Sequence, residues 1–304
     1  MKDISLKELL EAGCHFGHKV MRWHPKAADY IYQAREGIHI IDLAKTRSGL
    51  KSAAEFVLEL GKSGKKLLVV ATKRQARGVV SQAANRAGLP YLTNRWIGGF
   101  ITNWEEVKKN IDKMNKLRKE SIDGSWNKFP KHEMVGLTKY LRKLETVYSG
   151  VGDLTQIPEA IFIVDIKNEI AALREALRKG MKTVAIVDTN VDPQPVDYPI
   201  PANDDAVGSI QFIVNYLVDV FLEGKKIGEK AGEREAKKLS NQQINQSTNK
   251  QIEKEEKDVK IQSFKDEKKQ SEKLEKIDEV RKLEKVVRGD KNKKKGSPKK
   301  SLSS

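Results

Sequence analysis

The sequence predicts an α/β protein: a mainly parallel sheet between helices, interrupted by an inserted antiparallel helical hairpin and followed by a disordered tail. Three observations predict this. Short, continuous apolar runs at residues 67–71, 160–165 and 183–188 alternate with helix-like segments, as strands buried on both faces and joined by crossover helices do. Two heptad-spaced apolar stripes lie between residues 104 and 148. Residues 225–304 hold 25 Lys/Arg, 15 Asp/Glu and only 16 apolar residues, too few to bury a core.

In chain order, Ser5 with Glu8 three residues on forms a capping-box pattern ahead of Leu9 and Leu10, predicting a short first helix. A helix over 42–62 follows, with Leu43, Leu50, Ala54, Val57 and Leu58 as its apolar face. The run Leu67 to Ala71 is too short for a buried helix and reads as a strand, with a helix after Lys73. Residues 160–165 and 183–188 repeat the strand pattern around a helix between Lys167 and Lys179, and residues 90–94 and 198–200 suit two short strands. A last helix, 205–223, is apolar on most faces and should pack deep against the sheet.

The stretch 104–148 has a different period. Trp104, Val107, Ile111, Met114 and Leu117 form one stripe, and Met134, Leu137, Leu141, Leu144 and Tyr148 form the other. With turn-forming Gly124 and Pro130 between them, they predict an antiparallel helical hairpin, favoured over two ordinary surface helices because an insertion between sheet strands must find its own packing partner. The domain division is therefore 1–224, carrying the hairpin as an insertion, and a charged tail at 225–304. In that tail Leu274, Ile277, Val280, Leu283 and Val286 recur every third residue. That period drifts around a helix, so any helix there needs a partner.

Charge narrows the function. The formal net charge is +16, of which the tail holds +10. Residues 1–95 carry +9, 105–150 carry +4 and 151–224 carry −7. A basic half and an acidic half imply a polyanionic partner on one side and different neighbours on the other. One Cys excludes an internal disulfide, no run reaches about 18 apolar residues, and no apolar stretch follows Met1 as a secretory signal would. A cytoplasmic protein with no membrane partner is expected.

Three chemistries compete for the polar residues. Cys14, His15, His18 and His24 offer four soft ligands within eleven residues, yet only His39 and His132 lie downstream to complete a zinc set, so packing or phosphate contact is the expected role and no metal is predicted. Asp165, Asp188, Asn190, Asp192, Asp204 and Asp205 fall at strand ends, where a magnesium-dependent phosphotransferase keeps carboxylates. That enzyme, or a nucleotide-handling α/β enzyme, using Asp165, Asp188 and Asp192, is the alternative function. Against it, no phosphate-cradling glycine motif is present, and Pro193 and Pro199 stand where a calcium loop needs Gly and Glu. The simpler role for the carboxylates is to cap loops and helix starts. Basic and aromatic residues remain: Lys19, Arg22, Trp23, His24, Lys26, Tyr30, Tyr32 and Arg35, then Lys73, Arg74 and Arg77, then Arg95 and Trp96. Interleaved cations and rings suit structured RNA, the cations meeting phosphate and the rings stacking on unpaired bases. About half of the rings are expected in the core instead. His15, His18 and Lys45, in the same basic half, complete the candidate RNA-binding set.

The residues also carry a resemblance. Leu9-Leu10-Glu11-Ala12-Gly13-Cys14-His15-Phe16-Gly17-His18, Arg22-Trp23-His24-Pro25-Lys26, Gly37-Ile38-His39-Ile40-Ile41-Asp42-Leu43-Ala44-Lys45-Thr46 and Ala71-Thr72-Lys73-Arg74-Gln75-Ala76 resemble blocks of the bacterial small-subunit ribosomal protein two family. So do Asn94-Arg95-Trp96-Ile97-Gly98-Gly99, Ile157-Pro158-Glu159-Ala160, and the run from Ala185 through Asp192-Pro193 to Asp204-Asp205. All stand in the family's order over about residues 4–224, and the tail has no counterpart. The resemblance implies a flavodoxin-like domain with a coiled-coil hairpin, no catalysis and no cofactor, seated between head and body of the small ribosomal subunit. It implies as partners the ribosomal RNA and neighbouring proteins, including the large messenger-binding protein. From charge, the basic half is expected on RNA, and the hairpin and acidic half on proteins.

Overall fold

The computed structural model describes residues 4–232 and eight helical positions between Lys260 and Lys273. Most of the expected tail, with its third-residue repeat, lies outside the described residues, and the strands and the helices that pack on them belong to the compact unit Met1–Gly232.

Helix α1 (Leu6–Glu11) opens on the expected capping box: the Ser5 hydroxyl accepts from the Glu8 N–H at 3.1 Å, and the Glu8 carboxylate accepts from the Ser5 N–H at 3.1 Å. The chain then forms a small antiparallel sheet absent from the sequence expectations. Its strands β1 (Phe16–Lys19), β2 (Ile31–Arg35) and β3 (Ile38–Ile41) lie in the order β1-β3-β2. The β2–β3 turn is Glu36-Gly37, both at positive φ (52° and 77°), the geometry of a two-residue hairpin turn. Glu is a poor signal for that conformation, and a bulge breaks the register between Ile31 and Gln33, so neither turn chemistry nor alternation betrays the sheet in the sequence.

The central sheet follows. Helix α2 (Leu43–Lys62) is capped by Asp42, whose side chain accepts from the Ala44 N–H at 2.9 Å. After it come β4 (Leu67–Val70), α3 (Arg74–Ala87), β5 (Tyr91–Leu92), α4 (Trp104–Ile122), α5 (Lys131–Tyr148), β6 (Ala160–Ile163), α6 (Ile170–Arg178), β7 (Lys182–Val187), β8 (Tyr198–Pro201) and α7 (Val207–Gly232). The five strands are all parallel in the order β5-β4-β6-β7-β8. Taken as strands one to five in chain order, this is 2-1-3-4-5, the flavodoxin-like doubly wound arrangement.

Alternation along the buried strands sorts the core into two. Leu67, Val69, Phe162, Val184 and Ile200 face α1, α2, α3 and α7, while Leu68, Val70, Ile161, Ile163 and Ala185 face α6 and the hairpin. Val107, Ile111, Met114 and Leu117 of α4 meet Leu141, Leu144 and Tyr148 of α5, the stripes read from the sequence. Their seam runs without a break into the second core, so the root of the hairpin packs on the sheet as well as on itself.

Helix α7 continues past Gly224, where the sequence reading ended the domain, to Gly232. The reason is a close crossing with α2. A Cβ on Gly61 would lie 2.6 Å from the Phe221 carbonyl, and one on Gly224 would lie 2.3 Å from the Leu58 carbonyl. By length and composition α7 could cross a membrane, but half of its most apolar stretch is buried, with Ile210, Ile213, Val214 and Leu217 fully inside the core.

Candidate nucleic-acid interface

In a doubly wound sheet the crevice at the carboxyl ends of the strands, where strand order reverses, is where ligands bind. Here that point lies between β4 and β6, and the chain fills it with its own side chains. Thr72, just after β4, donates its N–H to the Glu169 carboxylate at 2.9 Å. Lys73 turns inward, its Nζ 3.1 Å from Asp165 after β6, and 2.8 and 2.7 Å from Asp204 and Asp205 after β8. Burial works against the ammonium, but the three carboxylates outweigh it and raise its pKa. Asp165 also accepts from the N–H and the amide of Asn168, at 3.1 and 2.9 Å. The carboxylates gather at the strand ends as the sequence suggested, and they are satisfied there by cations and loop donors.

The N-terminal segment closes the same end from the β7–β8 side. His18 Nδ1 is 3.1 Å from Asp188 and its Nε2 is 3.4 Å from Asp205. The hydrogen bond to Asp188 raises the imidazole pKa, ahead of an opposing burial effect. The backbone is stitched too: His18 N–H donates to the Thr189 hydroxyl at 3.0 Å and His24 N–H to the Thr189 carbonyl at 2.7 Å. Gly17 sits against that threonine, where a Cβ would lie 2.8 Å from its Cγ2. Among the described residues, the group of His, Cys and carboxylate ligands whose atoms approach within 4.8 Å of one another is His18, Asp188 and Asp204. These are the side chains that could hold a divalent ion, with Lys73 and the imidazole supplying the positive charge in the structure described.

Cys14, His15 and His24 do not join that group. Cys14 is fully buried beside Ser209, and burial raises its thiol pKa. His15 packs on Phe16 with ring centroids 4.0 Å apart, and His24 caps a short turn by accepting from the Lys26 N–H at 3.3 Å.

The other candidate RNA-binding residues surround this closed end. Lys19, Arg22, Arg74 and Arg95 are exposed, and among the described residues none has a carboxylate within 4.0 Å. Lys26 pairs with Asp192 at 2.6 Å and Arg35 with Glu36 at 3.6 Å, both near solvent, and Lys45 donates to the Asp29 carbonyl. Arg77 donates to the Thr72 carbonyl at 2.9 Å and the Asn94 carbonyl at 3.3 Å, joining the loops after β4 and β5. Trp23 is 42% exposed and lies beside His39, with ring centroids 5.7 Å apart and the planes tilted. Trp96 is half-buried and tilted against Phe100, and its indole N–H donates to Glu175 at 3.0 Å.

Sequence reasoning passed over Glu175. From α6 its buried carboxylate also accepts from the N–H groups of Gly99, Ile101 and Thr102, at 2.8, 3.1 and 3.3 Å, and from the Thr102 hydroxyl at 3.2 Å. Burial alone would raise its pKa, but these donors hold it below the usual carboxylate range. The loop from β5 into the hairpin is thus wound around one side chain. A lone acidic residue among the apolar positions of α6 is the single trace of this in the sequence.

A family model described as ribosomal protein S2 matches residues 9–224. The chain is 46% identical over 227 residues to the small ribosomal subunit protein uS2 of Desulfatibacillum aliphaticivorans, covering 75% of this chain and 77% of that one. It is 46% identical to uS2 of Coprothermobacter proteolyticus, covering 74% and 84%, and 42% identical to uS2c of Porphyra purpurea, covering 74% and 93%.

Proposed function

The chain belongs to the ribosomal protein S2 family, and from that premise we propose how its surfaces divide the work of a structural, non-catalytic constituent of the small ribosomal subunit. In the subunit it meets ribosomal RNA and other proteins. The exposed cations Lys19, Arg22, Lys26, Arg35, Arg74 and Arg95, with the exposed Trp23, hold RNA. Lys73, His18 and Glu175 act one step back, fixing the loops that carry those cations. The acidic portion, residues 151–224, faces proteins, among them the large messenger-binding protein, and the assembly works in the cytoplasm. The domain proper is the α/β unit with its hairpin at 104–148, followed in sequence by a charged tail.

One observation carries the RNA reading. The crevice that would serve an enzyme is filled by Thr72, Lys73 and the strand-end carboxylates, while the basic side chains around it are exposed and largely unpaired. Nothing favours the magnesium-dependent phosphotransferase: Asp165 and Asp188 are engaged by Lys73 and His18, and Asp192 by Lys26.

Sedimentation tests it. The full chain should travel with small subunits at moderate salt, and replacing Arg22, Arg74 and Arg95 with Gln should release it at lower salt than the unsubstituted protein, since each phosphate contact steepens the salt dependence. A protein free of subunits at moderate salt, or one indifferent to the three substitutions, would refute the assignment.

A further inference from the structure

We propose that the outer face of α5 is a second RNA-contact surface, occupied by the phosphate backbone of ribosomal RNA and continuous with the basic loops at the strand ends. The inference rests on the RNA reading above and extends it to the hairpin, which charge along the sequence assigned to protein neighbours.

Helix α5 turns Leu141, Leu144 and Tyr148 into the core. Lys139, Arg142, Lys143 and Thr146 recur at i, i+3, i+4 and i+7 on the opposite side and are all exposed, a row about 10 Å long. Among the described residues none of the three cations has a carboxylate within 4.0 Å, whereas on the neighbouring helix Lys109 pairs with Glu106 at 2.6 Å, Lys116 with Glu120 at 3.9 Å and Arg118 with Glu145 at 3.0 Å. Glu145, one of two acidic residues in α5, is drawn toward α4 by Arg118, which leaves the outer row without a counter-charge among the described residues.

The row also leads somewhere. The Asn94 side-chain amide donates to the Thr146 carbonyl, and the Asn94 carbonyl accepts from Arg77 at 3.3 Å. The C-terminal end of the row therefore abuts the loop that carries Arg95 and, through Arg77, the start of α3 with Arg74. Uncompensated cations in line with that loop match a polyanion that spans both. An acidic protein would satisfy the row alone and leave its continuity with the loop unexplained.

Two measurements on the full chain decide it. First, the salt dependence of binding to small subunits stripped of this protein is compared for the unsubstituted chain, Lys139→Gln/Arg142→Gln/Lys143→Gln, and a control with Lys109→Gln and Lys116→Gln. If the row meets phosphates, the triple variant should show a log–log salt slope shallower by roughly 2–3, at about 0.7–0.9 per phosphate, and the control should not differ. Second, Lys139→Cys is coupled to a benzophenone; Cys14, the only native thiol, is fully buried and stays unlabelled. Irradiation of assembled subunits should give a ribonuclease-sensitive crosslink. A crosslink to protein, or an unchanged slope in the triple variant, overturns the inference while leaving the strand-end surface intact. Failure of the unsubstituted chain to bind stripped subunits would instead overturn the RNA reading itself.

Discussion

Glu175 illustrates how one side chain can set the geometry of a surface it never reaches. Its two oxygens accept five hydrogen bonds from Trp96, Gly99, Ile101 and Thr102, so the loop beginning at Arg95 has little freedom. Replacing it with Gln would turn one oxygen into an NH2 group facing donors, and a buried donor without an acceptor costs about 1–3 kcal/mol. We expect Glu175→Gln to lower Tm by several degrees, at about 2–4 °C per kcal/mol for a unit of this size, and to weaken subunit binding beyond what the stability loss explains. Thermal melts alongside binding at a temperature well below both transitions would check this. Glu175→Asp, one methylene short but still an all-acceptor group, should recover part of the binding. If both variants bind like the unsubstituted protein, the loop does not need its anchor.

Between elements, glycine has opposite meanings in two helices. Gly224 on α7 lies against the backbone of α2, and an added Cβ would sit 2.3 Å from the Leu58 carbonyl. Gly78, exposed on α3, has nothing within 4 Å of the same position. Gly224→Ala must push two helices apart and should cost roughly 1–3 kcal/mol. Gly78→Ala only removes backbone freedom from the unfolded chain and should stabilise by about 0.5–1 kcal/mol. Chemical denaturation of the two variants should give shifts of opposite sign, and a neutral Gly224→Ala would mean the crossing is looser than its geometry indicates. The apolar pattern along the sequence ends this helix at residue 223, just before Gly224. Here the missing side chain is what lets the helix continue.

At the scale of the molecule, one charge cluster ties the N-terminal segment to four of the five central strands. Asp204 is pushed up to about 7 by burial, then by the nearby Asp165 and Asp188 carboxylates. His18 is raised by its hydrogen bond to Asp188, and Glu169 is raised by burial. All three hold a proton in the folded state that the unfolded chain gives up more readily. Stability from this cluster is therefore present in mildly acidic solution and is lost as pH rises through about 7, the value reached by Asp204. We expect Tm to fall by a few degrees between mildly acidic and mildly alkaline buffer. In Asp204→Asn, which cannot titrate, that fall should shrink even if the variant is less stable throughout. An equal slope in both proteins would place the titrating groups elsewhere.

Much of this protein is local information. The strands at 67–70, 160–163 and 182–187, the capping box at Ser5 and both hairpin stripes follow from periods and caps that neighbouring residues carry. Ordered sequence blocks sufficed for the family. Tertiary structure alone decided the rest, because the physics there is non-local. The small sheet forms where a strained Glu36-Gly37 turn and a bulge find a wall to pack on, the Thr189 loop some 150 residues away. Lys73 reads along the sequence as one more cation for RNA, yet three carboxylates from two other strand ends draw its ammonium inward. Which cations face solvent and which hold the frame depends on where distant carboxylates arrive, and only the folded chain brings them together.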